Sequence, residues 1–243
     1  MYTERMEVSS HDVDPHGAVR PACLLRYMQE TANHQMRDEK PSYMDLFHAG
    51  KAFLLSRIAV EITAPLRQYD KITVSSWPTD SKGAAYNRCY RIERDGQCMA
   101  RGYGIWALVN TETHHLYRVS EEPLSNYVHG PCDEVSDIKF RLPDEITPVG
   151  SHEVLYHETD MNGHLNNTYY PELLLDFLPD PDFYTCKKFA IHFIAEAPLG
   201  QPLTIYRSAI QAEHDENRVY FRTLRADGRA NAEAYMVLEP REG

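Results

Sequence analysis

Glu153-Val154-Leu155-Tyr156-His157-Glu158-Thr159-Asp160-Met161-Asn162-Gly163-His164-Leu165 occurs twice in this chain. The earlier and plainer copy reads Glu7-Val8-Ser9-Ser10-His11-Asp12-Val13-Asp14-Pro15-His16-Gly17-Ala18-Val19. At a constant offset of 146 residues, from Glu7 to Glu153, the Glu, Val, His, Asp and Gly positions coincide. Asn162 and His164 face His16 and Ala18, so only the later copy carries a full set of reactive side chains. One half therefore reads as chemical and the other as structural.

The pairing continues downstream. Ala64-Pro65-Leu66 is echoed by Ala197-Pro198-Leu199, which sets Thr63 against Glu196, and Asp95-Gly96 is echoed by Asp227-Gly228. Self-similarity over roughly a hundred residues is too long for a solenoid repeat and suits a duplicated domain. Each copy opens with a short strand, Val8 to His11 or Val154 to His157, that runs into a polar, glycine-containing loop. A helix is expected next. In the first copy Pro21 opens it, and Leu24, Met28, Thr31, Ala32 and Met36 share one side. In the second, Asn167 is the expected N-cap, and Tyr170, Leu173, Leu174, Phe177 and Leu178 form one apolar stripe.

Runs rich in Val, Ile, Tyr and Phe follow each helix: 53–62, 71–77, 86–93 and 98–110, then 188–195, 203–211, 218–225 and 230–238. Asp95-Gly96 and Asp227-Gly228 sit at hairpin tips, where both central residues are expected at positive φ. One strand, one long helix and a four-stranded antiparallel meander, twice over, is an α+β layout. It corresponds to two tandem hot-dog domains, each a long helix packed on an antiparallel sheet. The expected boundaries are 1–110, a connecting segment 111–149 with prolines at 123, 131, 143 and 148, and 150–243.

Composition bounds the function. The net charge of −11 argues against non-specific nucleic-acid binding, which relies on lysine and arginine to displace counterions. The five cysteines, at 23, 89, 98, 132 and 186, are odd in number and form no CxxC pair, which fits a reducing cytoplasm better than a disulfide framework. No apolar signal core and no run of membrane-spanning length is present, so a soluble cytoplasmic protein is expected. Twelve histidines show no HExxH-type spacing, and Gly150-Ser151-His152 is not a nucleophile elbow. Gly102-Tyr103-Gly104 falls in a strand, where close packing explains it.

The specific stretch is Asp160-Met161-Asn162-Gly163-His164-Leu165-Asn166-Asn167. Two ionisable groups and an amide at alternate positions can converge on one point. The adjoining helix start offers backbone N–H groups that could polarise a carbonyl. Glu196 ends an apolar run, 191–195, where an unpaired buried carboxylate would be costly.

This stretch resembles the active-site segment of acyl-ACP thioesterases, the plant and bacterial enzymes that release fatty acids from acyl carrier protein. The family's Asp-x-Asn-x-His-x-Asn-Asn run matches Asp160, Asn162, His164, Asn166 and Asn167. The family glutamate on the next strand matches Glu196, but Ala197 stands where a cysteine usually follows. A methyl group cannot be a nucleophile, so the resemblance implies attack by water or by a carboxylate. Glu196 is expected as the general base, a nucleophilic role remaining open, with His164 hydrogen-bonded to it or to the leaving sulfur. Asn162 would orient water or the carbonyl, Asp160 would hold Asn162 and the loop, and backbone N–H groups near Gly163 to Leu165 would form an oxyanion site. No metal or cofactor is needed.

The resemblance also implies an acyl tunnel shaped by the first half, with Leu24, Met28, Phe53, Leu54 and Trp77 as candidates for setting chain length. The implied partner is acyl carrier protein bearing an acyl-phosphopantetheine, for which Arg88, Arg91, Lys187, Lys188, Arg218 and Arg222 are candidate docking charges. No nucleic acid and no membrane span are expected, and a homodimer is one admissible assembly. An acyl-CoA thioesterase on the same fold, or a non-catalytic acyl-binding hot-dog protein, is the alternative.

Overall fold

The structure is a computed structural model that describes residues 1–122, 124, 126–132, 135, 137–213 and 216–241. The chain divides into two compact units, Met1–Ser136 and Asp137–Gly243. The boundary falls inside the stretch expected as a connection. Tyr117, Val119 and Leu124 pack against the Leu46, Tyr86 and Leu108 cluster of the first unit, whereas Ile138 and Phe140 engage His192 in the second. Apolar side chains on both sides of the boundary thus tie most of that stretch to one unit or the other. Pro123 of the expected connection lies outside the described residues.

The first unit comprises β1 (Tyr2–Glu7), α1 (Pro21–Asp38), α2 (Tyr43–His48), β2 (Lys51–Ile62), β3 (Lys71–Pro78), β4 (Tyr86–Arg94) and β5 (Gln97–Asn110). Its strands are ordered β1-β3-β4-β5-β2, and every pairing is antiparallel. The second comprises β6 (Thr147–Glu153), α3 (Tyr170–Leu175), β7 (Tyr184–Phe193), β8 (Pro202–Arg207), β9 (Gln211–Glu213), β10 (Glu216–Arg225) and β11 (Ala230–Pro240). Its order, β6-β8-β10-β11-β7 with β9 beside β10, repeats that of the first element for element. The duplicated hot-dog layout is therefore realised in both units.

Helix α1 crosses β1, β3 and β4 and buries Leu24, Leu25, Met28 and Ala32. Pro21 at its first turn has no helical hydrogen bond to lose there. The helix approaches the sheet closely because Gly102 lacks a side chain: a Cβ there would sit 2.8 Å from Met28 Sδ. The second helix is not long. It spans six residues, preceded by a 3₁₀ turn at Asn167–Tyr169, and stops before Pro179 and Pro181. Tyr170, Leu173, Leu174 and Leu178 are still buried, so the apolar stripe holds although the helix does not continue.

Three local expectations are corrected. The strand of each copy precedes the loop, at Tyr2–Glu7 and Thr147–Glu153, rather than covering Val8–His11 and Val154–His157. At the first hairpin tip both Asp95 (φ 52°) and Gly96 (φ 77°) are left-handed, but at the second only Gly228 is, at φ 78°. The second closes through Arg225 N–H to Arg229 O and Gly228 N–H to Arg225 O, a longer hairpin loop ending in a left-handed glycine. Cys89 and Cys132 form a disulfide where none was expected, and Cys23, Cys98 and Cys186 remain as thiols. Among the described residues no helix is long and apolar enough to cross a membrane.

Candidate active site

The loop after β6 is built around one carboxylate. Asp160 Oδ1 accepts the N–H of Asn162 at 2.8 Å and that of His164 at 3.3 Å, and Asp160 Oδ2 lies 3.4 Å from Asn162 Nδ2. The turn closes through Asp160 N–H to His164 O, 2.8 Å, and Gly163 N–H to Asp160 O, 3.0 Å, with Gly163 at φ 77°. A left-handed residue is required there, and glycine adopts it without a Cβ clash. Leu165 N–H then donates to Ala197 O at 2.8 Å, which brings the loop against the turn that carries Glu196. His164 Nε2 stands 3.4 Å from Glu196 Oε2, a loose contact.

The earlier loop has the same bonding. Asp14 Oδ1 accepts the N–H of His16 and of Ala18, both at 2.9 Å; Asp14 N–H reaches Ala18 O and Gly17 N–H reaches Asp14 O. Val19 N–H donates to Leu66 O at 2.9 Å, the counterpart of Leu165 to Ala197. This ladder resets the downstream alignment. Val8 bonds Tyr69 and Asp70 as Val154 bonds Gly200 and Gln201, an offset of 131 residues from Asp70 to Gln201. Glu196 is therefore matched by Pro65, not by Thr63.

Several site expectations change with these contacts. Glu196 lies beyond the end of β7 and its side chain is 61% exposed, because the chain has already turned out of the sheet; it is not the buried strand carboxylate expected. The N–H groups of Gly163, His164 and Leu165 all donate within the protein, so they do not form an oxyanion site. Asn166, not Asn167, caps the helical turn: its Oδ1 accepts Thr168 N–H at 2.9 Å and Thr168 Oγ1–H at 2.8 Å. Ala197 is buried, as is Leu66 at the equivalent position, so a side chain there points into packing.

Sequence reasoning missed Glu158 at the base of the loop. Its Oε2 lies 2.7 Å from His152 Nε2 and accepts Leu155 N–H at 2.8 Å, while its carbonyl accepts Asn166 N–H. The signal was available at the same 146-residue offset, where Asp12 accepts the Tyr27 hydroxyl at 2.6 Å and, through its carbonyl, Arg20 N–H.

Of the residues expected to set chain length, Leu24, Met28 and Trp77 are buried in the first unit's core and Leu54 is exposed. Phe53 lines an apolar cavity of about 110 Å³ in that unit, with Met36, Tyr86, Trp106, Leu124 and Tyr127 around it, whereas Trp77 borders a separate cavity of about 220 Å³ beside Cys89, Arg91 and Arg101. The candidate docking charges are mostly engaged. Arg88 is buried on Gln35 Oε1 and Ser76 Oγ, and Lys188 is buried 3.3 Å from Asp137. Arg218, Arg222 and Lys187 pair with Glu216, Glu233 and Glu239, and Arg91 lies over the Trp77 ring. Burial, ion pairing and, for Arg91, an aromatic face account for these cations within the chain.

The comparisons with known proteins agree with this fold. Residues 1–127 match the acyl-ACP thioesterase N-terminal domain, and residues 145–237 match the acyl-ACP thioesterase C-terminal domain. The dodecanoyl-[acyl-carrier-protein] hydrolase of Cinnamomum camphora chloroplasts is 20% identical over 221 residues; the match covers 84% of this chain and 58% of that protein's length. An acyl-ACP thioesterase structure from Bacteroides thetaiotaomicron shares the fold at TM-score 0.83 and 20% identity, covering 98% of this chain and 97% of that one. The 12:0-ACP thioesterase of Umbellularia californica does so at 0.82 and 15%, covering 99% and 94%. Matched across both units, the chain belongs to the acyl-ACP thioesterase family.

Proposed function

We propose that this protein hydrolyses fatty acyl thioesters of acyl carrier protein to free fatty acid and holo-carrier protein. The observation that carries the reading is the His164–Glu196 contact at 3.4 Å, on a loop whose structural twin holds Ala18 and Pro65 instead. Glu196 takes a proton from water, and the oxygen attacks the thioester carbonyl. The tetrahedral intermediate expels the pantetheine sulfur, which is protonated by the Glu196–His164 pair. Water supplies one oxygen and one proton to the acid and one proton to the thiol, so the step balances. Asp160 holds the loop, and Asn162 presents its amide to water or to the carbonyl oxygen. Exposure of Glu196 leaves it open to water, as a general base requires. Ala197 removes a cysteine nucleophile from the adjoining position.

We assign acyl-chain selection to the first unit's apolar cavity of about 110 Å³, lined by Phe53, Met36, Tyr86 and Trp106. Filling it with Ala32→Leu should move the preferred acyl length downward by at least two carbons. The test is a panel of acyl-ACPs and acyl-CoAs of graded length, scored by free-thiol release. Activity on acyl-CoA with none on acyl-ACP would move the assignment to the CoA ester, and no release from any thioester would overturn it.

A further inference from the structure

Between the two units lies a difference that neither the motif nor the loop explains. In the second unit three polar side chains meet in the core: Asn231 on β11 is fully buried, Thr223 on β10 nearly so, and Tyr170 opens α3. Asn231 Oδ1 accepts the Tyr170 hydroxyl at 2.9 Å and the Thr223 hydroxyl at 2.8 Å, and its Nδ2 donates to Ala195 O. The amide has one orientation, because only its NH₂ end can serve the Ala195 carbonyl. Burial pushes the Tyr170 phenol well above its ordinary pKa, so it stays protonated and can donate.

The first unit has the same backbone at this place and none of the polar groups. Met99 O accepts the N–H of Thr63 and Ala64 as Asn231 O accepts those of Ile194 and Ala195. The strand registers match Thr223 to Ile92, each one step before its hairpin irregularity, and the loop offset matches Tyr170 to Leu24. Leu24, Ile92 and Met99 are all buried. A buried polar cluster is costly unless satisfied, and the apolar set shows that the fold does not need one.

The cluster acts on the residue before Glu196. In the first unit Pro65 occupies the Glu196 position, and its ring fixes the local φ. Glu196 has no such constraint, but the carbonyls on both sides of its amide are held: Ala195 O by Asn231 Nδ2 and Glu196 O by Arg225 Nη1 at 3.3 Å. Resting on the thioesterase reading, we propose that Asn231, set by Tyr170 and Thr223, is a positioning residue that aims Glu196 at His164.

The test is the variant that copies the first unit, Tyr170→Leu/Thr223→Ile/Asn231→Met, in wild-type and Glu196→Gln backgrounds. In the wild-type background kcat should fall about tenfold or more with KM within about twofold, since a misplacement of about an ångström is enough to cost that. In the Glu196→Gln background it should cause no further loss. Tyr170→Phe, which removes one partner with little change of shape, is the milder version and should lose about threefold. The readout independent of turnover is the NMR chemical shift of the His164 ring at fixed pH. Both Glu196→Gln and the apolar variant should move it in the same sense, because each takes the carboxylate away from the His164 Nε2 contact. A folded apolar variant with unchanged kcat, an additive loss on top of Glu196→Gln, or an unmoved His164 signal would overturn the proposal. If the wild-type protein released no thiol from any thioester, the functional reading would fall while the His164 signal still decided the positioning.

Discussion

The loops at 12–19 and 158–165 share their backbone hydrogen bonds, a carboxylate that collects two N–H groups, and a left-handed glycine. Only Asp14/Asp160 and Gly17/Gly163 are identical; of the six paired side chains that differ, Ala18 against His164 and His16 against Asn162 bear on the proposed chemistry, with Pro65 against Glu196 across the loop. The bonding pattern is therefore a property of the duplicated fold, and the proposed chemistry rests on a small set of substitutions placed upon it. Asp160 belongs to the first category, because Asp14 does the same work where Ala18 and Pro65 stand in place of His164 and Glu196. His164 and Glu196 belong to the second.

The sharpest way to break that division is to return the second loop to the first. His164→Ala recreates the residue at position 18, so the loop should fold unchanged while hydrolysis falls about a hundredfold or more, the range of a lost acid–base group. Glu196→Gln should do the same. Thermal unfolding and thiol release measured on the same preparations decide it. Near-wild-type turnover by either folded variant would remove that residue from the chemistry.

A smaller effect separates scaffold from site. Asp14→Ala and Asp160→Ala each remove an acceptor of two backbone N–H groups, and each should cost about 2 kcal/mol of stability, since hydrogen bonds to a charged group are worth that order. Only Asp160→Ala should also slow hydrolysis, by about tenfold, through the misplaced Asn162 and His164. An equal loss of turnover from Asp14→Ala would show that the two loops serve one composite site, and the division of labour would be wrong.

Much of this was readable before any coordinates. The duplication, the strand runs and the reactive octapeptide stand in the sequence because apolar alternation and turn chemistry are local. The misreadings are non-local. Ala64-Pro65-Leu66 and Ala197-Pro198-Leu199 look alike, but cross-strand bonds from Val8, Val19, Val154 and Leu165 set the register, which moves the partner of Glu196 from Thr63 to Pro65. The strand at Tyr2–Glu7 leaves little sequence signal because it lies at a sheet edge and alternates exposed with half-buried positions, carrying few apolar residues. The second helix is shorter than its pattern implies because the apolar stripe continues to Leu178 while the helical backbone does not. Asn231 carried no motif, and its meaning emerges only against Met99.

The smallest expected effect concerns the thiols, and it tests whether the chemistry needs any cysteine. Ala197, next to Glu196, is buried and offers no thiol, and Leu66 fills the same position in the other unit. Of the free cysteines, Cys23 and Cys186 are buried and Cys98 is exposed. Burial pushes the Cys186 thiol up to about 12, so almost none of it is thiolate near neutral pH, and the thiolate is the nucleophile. A small alkylating reagent applied to the folded protein should therefore label Cys98 first and leave hydrolysis within about twofold of its starting rate. Quenched turnover should yield no acyl adduct on any cysteine by mass spectrometry. An acyl-thiol species that formed and chased into product would reverse the assignment: Glu196 would cease to be the general base, His164 would become the activator of a thiol, and Cys23 or Cys186 would have to reach the substrate from the core.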